Sequence, residues 1–293
     1  MAASYQKLLA LKVPEKSVHY TAKDVQLYAL SLGMGRDPID SAELDFVYEK
    51  NLKVLPSLSM TLAHPGFWAR DLDSGLDWVK ILHAGQSMVM HQPLPSEANI
   101  VARSRIVDVI DKGEGRGALV YFERQLIDED SGSLYCTMVQ TVFCRGDGGM
   151  GGNPELKPVI HRIPERPADA SLLRQTSPQM ALLYRLNGDM NPLHADPEIA
   201  RKAGFERPIL QGLASFGVAC ESLIALCCDN DPTRLESMDC RFSAPVYPGE
   251  TLRTDVWHEP DGTCFRVSVA EREVRAIDNG FMTARAKINS AVI

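Results

Sequence analysis

The sequence predicts an α+β fold in which antiparallel sheet wraps a buried helix, and it predicts that plan twice along the chain. Three observations carry this. The stretch from Gly212 to Cys228 is helical in period and apolar nearly all round. Strand-like runs joined by tight polar turns fill two separate regions, 78–144 and 237–289. Short segments of the first part of the chain recur in the second, roughly 150 residues on.

The helix comes first because the rest is arranged about it. Leu213, Phe216, Gly217, Cys220, Leu223, Ile224 and Cys227 recur at three- and four-residue steps, and Ala214, Val218, Ala219 and Ala225 make the other side small and apolar. Glu221 is its only charge before Asp229. A helix with no polar face is stable only when enclosed, and a sheet curled around it is the natural enclosure. Its start at Gln211-Gly212 exposes free backbone N–H groups and the positive end of the helix dipole. Glycine there lets another group approach the backbone.

Upstream, Tyr184-Arg-Leu-Asn-Gly-Asp-Met-Asn-Pro-Leu-His194 places Asp189, Asn191 and His194 within six positions. Gly188 before the group and Pro192 inside it make this a loop. A short helix follows, with Asp196 as N-cap, Pro197 at its first position and Gly204 as its stop. Arg207-Pro-Ile-Leu-Gln-Gly212 then leads into the buried helix. An acid, an amide and an imidazole upstream of a dipole-bearing helix end suit chemistry beside a carbonyl. The helix end stabilises an enolate while Asp and His handle water and its protons.

Elsewhere, residues 1–20 carry no clear pattern, and Thr21 to Gly33 reads as a helix with Thr21 and Asp24 as capping pair. Strands are expected at Ile81–Met90, Ile100–Ile110, Ala118–Ile127 and Leu134–Cys144. After Ser177 a helix is expected to about Asn187. Strands return at Ser237–Ala244, Glu250–Glu259, Cys264–Val274 and Phe281–Asn289, with turns at Pro248-Gly249, Pro260-Asp-Gly262 and Asp278-Asn-Gly280. Residues 146–168 are rich in glycine and proline and read as a linker. Gly146, Gly148 and Gly151 match a dinucleotide-binding spacing, but Asn153-Pro154 stands where that motif needs a helix, so the match is discounted. This divides the chain into 1–145, a linker of 146–168, and 169–293. Tyr28 echoes Tyr184, Pro56 echoes Pro208 and Glu97 echoes Glu250. On that register Asp189, Asn191, His194 and Gly212 fall opposite Gly33, Gly35, Pro38 and Met60, so the first half lacks the chemistry and is left to shape a pocket.

Composition narrows the classes. A formal net charge of −7 argues against general nucleic-acid binding. Seven cysteines without a C-x-x-C pair suit reduced thiols. No run is long and apolar enough for a membrane span, and His83 and His91 lack a third metal ligand. The N-terminus lacks a signal-peptide core and the C-terminus is not of the S-K-L kind, which together point to the cytoplasm.

The Tyr184–His194 run resembles the signature of the MaoC-like (R)-specific enoyl-CoA hydratases, the hydratase 2 group. Tyr28-Ala-Leu-Ser-Leu-Gly33, Phe46-Val-Tyr-Glu49, Leu82-His-Ala-Gly-Gln86 and Val109-Ile-Asp-Lys-Gly113 are similar to the hydratase region of peroxisomal multifunctional enzyme type 2. The resemblance spans roughly residues 20–145 and 170–290. It departs at Gln211, where many members have His. It implies a double hot dog fold, each half a long helix wrapped by an antiparallel sheet, with one active site per chain and pairing of two copies as a homodimer.

The resemblance also implies hydration of trans-2-enoyl-CoA, with coenzyme A entering as part of the substrate and no metal or redox cofactor. Asp189 and His194 are the expected catalytic pair and Asn191 positions water or substrate. Gly212 is the oxyanion donor, with Tyr184 and Ile209 lining the site. Arg241 and Arg253 are candidates for the coenzyme phosphates. Glu49 reads as structural, in a hydrogen bond or ion pair. Two alternatives remain open: an acyl-CoA thioesterase on the same fold, and a non-catalytic acyl-CoA binding module.

Overall fold

In the computed structural model, which describes residues 2–287, one antiparallel sheet of ten strands runs through the molecule. The strands are β1 (Lys16–Tyr20), β2 (Ile81–Met90), β3 (Ala98–Asp111), β4 (Ala118–Asp128), β5 (Leu134–Cys144), β6 (Ala170–Gln175), β7 (Leu235–Phe242), β8 (Thr251–Glu259), β9 (Gly262–Val269) and β10 (Val274–Ala284). Their order in space is β1-β3-β4-β5-β2-β7-β10-β9-β8-β6. Read inward from either edge, each half has the same sequence of strands: first, third, fourth, fifth, second. The halves meet where β2 pairs with β7, Gln86 opposite Cys240 and Met88 opposite Met238. This repeated order is the topological form of the weak sequence echo, in the α+β double hot dog arrangement expected.

Helices α1 (Tyr5–Leu9), α2 (Ala22–Ser31), α3 (Ser41–Leu44), α4 (Trp68–Asp71), α5 (Met180–Arg185), α6 (Pro197–Lys202) and α7 (Gly212–Cys227) complete the fold. The Thr21 backbone N–H donates to Asp24 at 2.8 Å, the expected capping contact. Asp196 caps α6 through the Glu198 and Ile199 N–H groups. Gly204 follows α6 at φ +89°, where a side chain would be strained. The helix after Ser177 is shorter than expected. Tyr28 on α2 and Tyr184 on α5 face each other with ring centroids 6.0 Å apart, so the echoed tyrosines meet where the halves join.

Helix α7 is buried from Ala214 through Ile224. Gly217 is needed for this enclosure, because a Cβ there would lie 2.8 Å from Leu32 and 2.9 Å from the Tyr28 hydroxyl. Among the described residues the first half holds no matching long helix. At the corresponding place it has the 3-10 turn Pro56–Met60, all five residues buried. Arg124 reaches through the core to close that turn, donating to the carbonyls of Met60 at 2.7 Å, Ser59 at 3.2 Å and Leu62 at 3.3 Å. Burial lowers the pKa of its guanidinium to about 10.

Three departures from the sequence reading have physical causes. β1 and β6 are short edge strands with mixed exposure, so no clean alternation marked them. Asp278-Asn279-Gly280 is a bulge inside β10 and not a turn between strands. The register slips there against both β7 and β9, and the chain reverses earlier, near Glu273 at φ +53°. Asn279 at φ +53° serves a bulge as readily as a hairpin turn. Gly280 fits because a Cβ would stand 2.5 Å from the Phe265 ring. The expected end of the last strand, at Ile288 and Asn289, lies outside the described residues. The glycine- and proline-rich connection forms no helix or strand but is fastened to both halves. Asp111 accepts from Gly149 N at 2.9 Å and Gly151 N at 2.8 Å, and Trp257 Nε1 donates to Arg166 O at 2.8 Å.

The lone charge on α7 is also fastened. Glu221 accepts both nitrogens of Arg174 on β6, at 2.6 and 2.9 Å, and Arg174 stands 3.6 Å from Glu43 of the first half. Glu221→Ala leaves the Arg174 charge half-buried without its main partner. The expected loss is about 3 kcal/mol, read as a lower urea midpoint at unchanged slope, and Glu43→Ala should cost less.

Candidate active site

The loop between α5 and α6 is shaped by its own short polar side chains. Asp189 accepts from the Asn191 N–H at 3.1 Å, and Asn191 accepts from the Leu193 N–H at 3.1 Å, which starts a 3-10 turn over Pro192–His194. Arg185 straps the loop from outside, donating to the Met190 carbonyl at 2.9 Å and the Asn191 carbonyl at 3.0 Å. The Asn191 side chain is thus occupied in building the loop and is exposed.

His194 turns inward and is 9% exposed. Its Nδ1 lies 2.9 Å from the carbonyl oxygen of Ile209. A carbonyl can only accept, so Nδ1 carries the hydrogen and Nε2 of the neutral ring is left with a free lone pair. Burial lowers the His194 pKa. The Asp189 carboxylate and the Ile209 carbonyl work against that shift, and Arg185 adds to it. The charge of Asp189 is felt at Tyr184 as well, where burial comes first and Tyr28 second in pushing the phenol pKa well above its ordinary value. One carboxylate therefore acts on both the imidazole and the tyrosine. The Tyr184 hydroxyl is buried and has no hydrogen-bond partner among the described residues.

The Ile209 carbonyl that holds His194 lies just ahead of α7. Gln211 is the N-cap residue but gives no side-chain cap; its Nε2 donates instead to the Ala181 carbonyl at 3.0 Å. Its own carbonyl takes the N–H groups of Ala214 and Ser215. The Gly212 N–H belongs to the unpaired first turn of the helix. A Cβ on Gly212 would touch the Phe242 ring at 3.6 Å, an ordinary contact. Across Phe242 sits His83, ring centroids 4.8 Å apart, with its pKa lowered by burial to about 4. His91, just past the end of β2, bonds to Thr137 at 2.9 Å.

The other expected residues fall elsewhere. Arg253 is bound to Asp255 at 3.1 Å, on the face of β8 away from the core residues Leu252 and Val256. Arg241 neighbours Phe242 on β7, and adjacent strand residues face opposite sides, so it points away from the mouth of α7. Glu49 is exposed and makes no ion pair or hydrogen bond among the described residues; Glu43 takes the structural part expected of it, accepting from the Gly35 N–H at 3.0 Å. Arg185, which straps the loop, was not singled out from the sequence, although it stands inside the signature run.

A hot dog sheet around one helix, with an Asp/His loop at the helix mouth, defines a class of dehydratases and hydratases. The MaoC like domain matches residues 159–280 and the MFE-2 hydratase 2 N-terminal domain matches residues 18–146, and the chain belongs to this family. It is 37% identical over 306 residues to the enoyl-CoA hydratase 2, peroxisomal, of Arabidopsis thaliana, covering 97% of this chain and 96% of that protein. It is 35% identical over 280 residues to peroxisomal multifunctional enzyme type 2 of Mus musculus, covering 92% of this chain and 37% of that longer protein. The solved MaoC-like dehydratase from Phytophthora capsici superposes with a TM-score of 0.85 at 31% identity, covering 96% of this chain and 98% of that one.

These relatives overturn the cytoplasmic placement. The Arabidopsis and mouse proteins, and those of fly and Neurospora crassa, are peroxisomal by name. A compartment address is read by a receptor from a few residues, and neither composition nor fold constrains it.

The electrostatics of His194 give a direct test. Its lowered pKa means the ring stays neutral to below pH 6.5 and protonates only on further acidification. Removing the opposing carboxylate in Asp189→Asn should lower the pKa again. An NMR titration of the His194 ring that moves upward in this variant would contradict the arrangement.

Proposed function

We propose that the chain adds water reversibly to trans-2-enoyl-CoA to give (3R)-3-hydroxyacyl-CoA. Enoyl-CoA hydratase activity in fatty acyl-CoA metabolism goes with its family and with relatives covered nearly end to end. The (R) sense comes from the resemblance to the hydratase 2 group, and the residue roles are this reading's own. The observation that carries those roles is the His194 Nδ1 contact with the Ile209 carbonyl, because it frees Nε2 at the start of α7.

On this reading water sits between Asp189 and His194 Nε2. Its oxygen attacks C3 of the enoyl group as Nε2 takes one of its protons. The C2–C3 π electrons move toward the carbonyl, and the Gly212 N–H and helix dipole stabilise the enolate oxygen. The imidazolium, held by the Asp189 charge, returns the proton to C2 on the same face. Atoms balance: hydroxyl is gained at C3 and hydrogen at C2, and the histidine ends as it began. Tyr184 and Ile209 line the site, and Asn191 acts through the loop it shapes. The division into 1–145, 146–168 and 169–293 assigns this chemistry to the last part. The first part, with a 3-10 turn where a long helix would stand, is left to shape room for the acyl chain. The working unit is a homodimer, acting in the compartment of its peroxisomal relatives.

Hydration of crotonyl-CoA, followed by loss of enoyl absorbance, tests the pair. Asp189→Asn and His194→Ala should each lower turnover by about 10²–10⁴-fold, and near-wild-type rates in both would remove these roles. The helix mouth has its own test. Gly212→Ala keeps the N–H and meets only an ordinary contact, so it should stay active. Gly212→Pro suits a first helical position but deletes the donor, and should cost about 10²–10³ in kcat. Equal activity of the two would exclude the oxyanion contact.

A further inference from the structure

We infer that Arg207, held over the ring of Tyr247, is the contact for the phosphate groups of the coenzyme A part of the substrate; this rests on the hydratase reading above. Tyr247 carries two guanidinium groups, Arg207 at 4.9 Å and Arg272 at 5.3 Å from the ring centroid. The two differ in what else they bind. Arg272 is spent on Glu250, at 2.6 and 2.9 Å, and on the Pro245 carbonyl at 2.7 Å. Arg207 is exposed and makes no ion pair or hydrogen bond among the described residues. Among the described residues its guanidinium meets the aromatic face of Tyr247, which leaves the donor edge of the fork free.

The location suits a phosphate contact. Arg207 lies two residues before Ile209, which anchors His194, and five before Gly212. The intervening backbone is non-helical and is tied to the Tyr247 loop by Leu210 N donating to Val246 O at 2.7 Å. Extended chain advances roughly 3.5 Å per residue, so Arg207 is displaced from the helix mouth by at most about 17 Å. In a coenzyme A thioester the phosphates are likewise set off from the sulfur, by the pantetheine arm. A thioester carbonyl at Gly212 therefore places the phosphates away from the mouth, at a separation that the 207–212 segment allows Arg207 to match.

The electrostatics explain why one held arginine should matter. The chain carries a net charge of −7, so its overall field repels a polyanionic coenzyme. Arg201 and Lys202 near Arg207 are opposed by Asp196, Glu198 and Glu206, so the connection has no general excess of positive charge. A planar fork that matches phosphate geometry, already ordered by stacking, loses less entropy on binding than a free surface cation. Arg253, with its charge on Asp255, and Arg241, on the opposite face of the sheet, lack this placement.

The test compares crotonyl-CoA with the crotonyl thioester of N-acetylcysteamine, which has no phosphate. Arg207→Ala should raise KM for crotonyl-CoA about tenfold, leave kcat nearly unchanged, and alter neither parameter for the truncated thioester. Arg207→Lys should fall between, and added salt should shrink the difference between wild type and Arg207→Ala. Activity on the truncated thioester reports whether each variant is folded. An unchanged KM for crotonyl-CoA, or an equal loss on both thioesters, overturns the inference while the hydratase reading stands. A wild-type protein that hydrates neither thioester removes both.

Discussion

The enclosure of α7 is the constraint from which the rest follows. A sixteen-residue helix with one charged side chain cannot lie on a protein surface, so the sheet must curl around it, and only its ends can reach solvent. Its N-terminal turn carries unpaired backbone donors, and Gly212 there is partly exposed. The Asp189–His194 loop arrives there because it is tied to it: the histidine ring is fixed by the carbonyl of Ile209, on the strand of chain that enters the helix.

The two halves show what this constraint requires and what it leaves open. Their strand order is the same, and both meet at β2 and β7, but only one half carries the long helix. The other uses five buried residues in a 3-10 turn, whose carbonyls are satisfied by the buried Arg124. The same strand order thus accommodates a long helix in one half and a buried 3-10 turn in the other. The Glu221–Arg174 pair, with Glu43 beside it, links α7 to the first half.

Electrostatic design in the site is economical. Desolvation lowers the His194 pKa, and a backbone acceptor chooses its tautomer. Asp189 supplies the countercharge that an imidazolium would need. No element of this depends on a strong ion pair, which burial would make costly.

Much of this was legible in the chain. The cap at Asp196, the stop at Gly204, the buried helix from Gly212 and most strand positions follow from side-chain chemistry acting over a few residues, and such rules survive folding. The Asp189/Asn191/His194 loop was legible for the same reason. What escaped were features set by distant partners. Edge strands β1 and β6 exist only because a neighbour offers hydrogen bonds, and Asp278-Asn-Gly became a bulge because strands on both sides outlast it. The buried 3-10 turn of the first half is closed by Arg124, which stands far along the sequence from it. The arginines show the division most plainly: Arg241 and Arg253 look like any others in the sequence, and only the sheet decides that one faces away and the other is paired. By itself the sequence determined the apolar helix, its free donors and the acid–imidazole loop, because these are local. The tertiary structure alone decided which lone pair of His194 is free and which cations are unspent, because both depend on groups brought together only when the sheet closes.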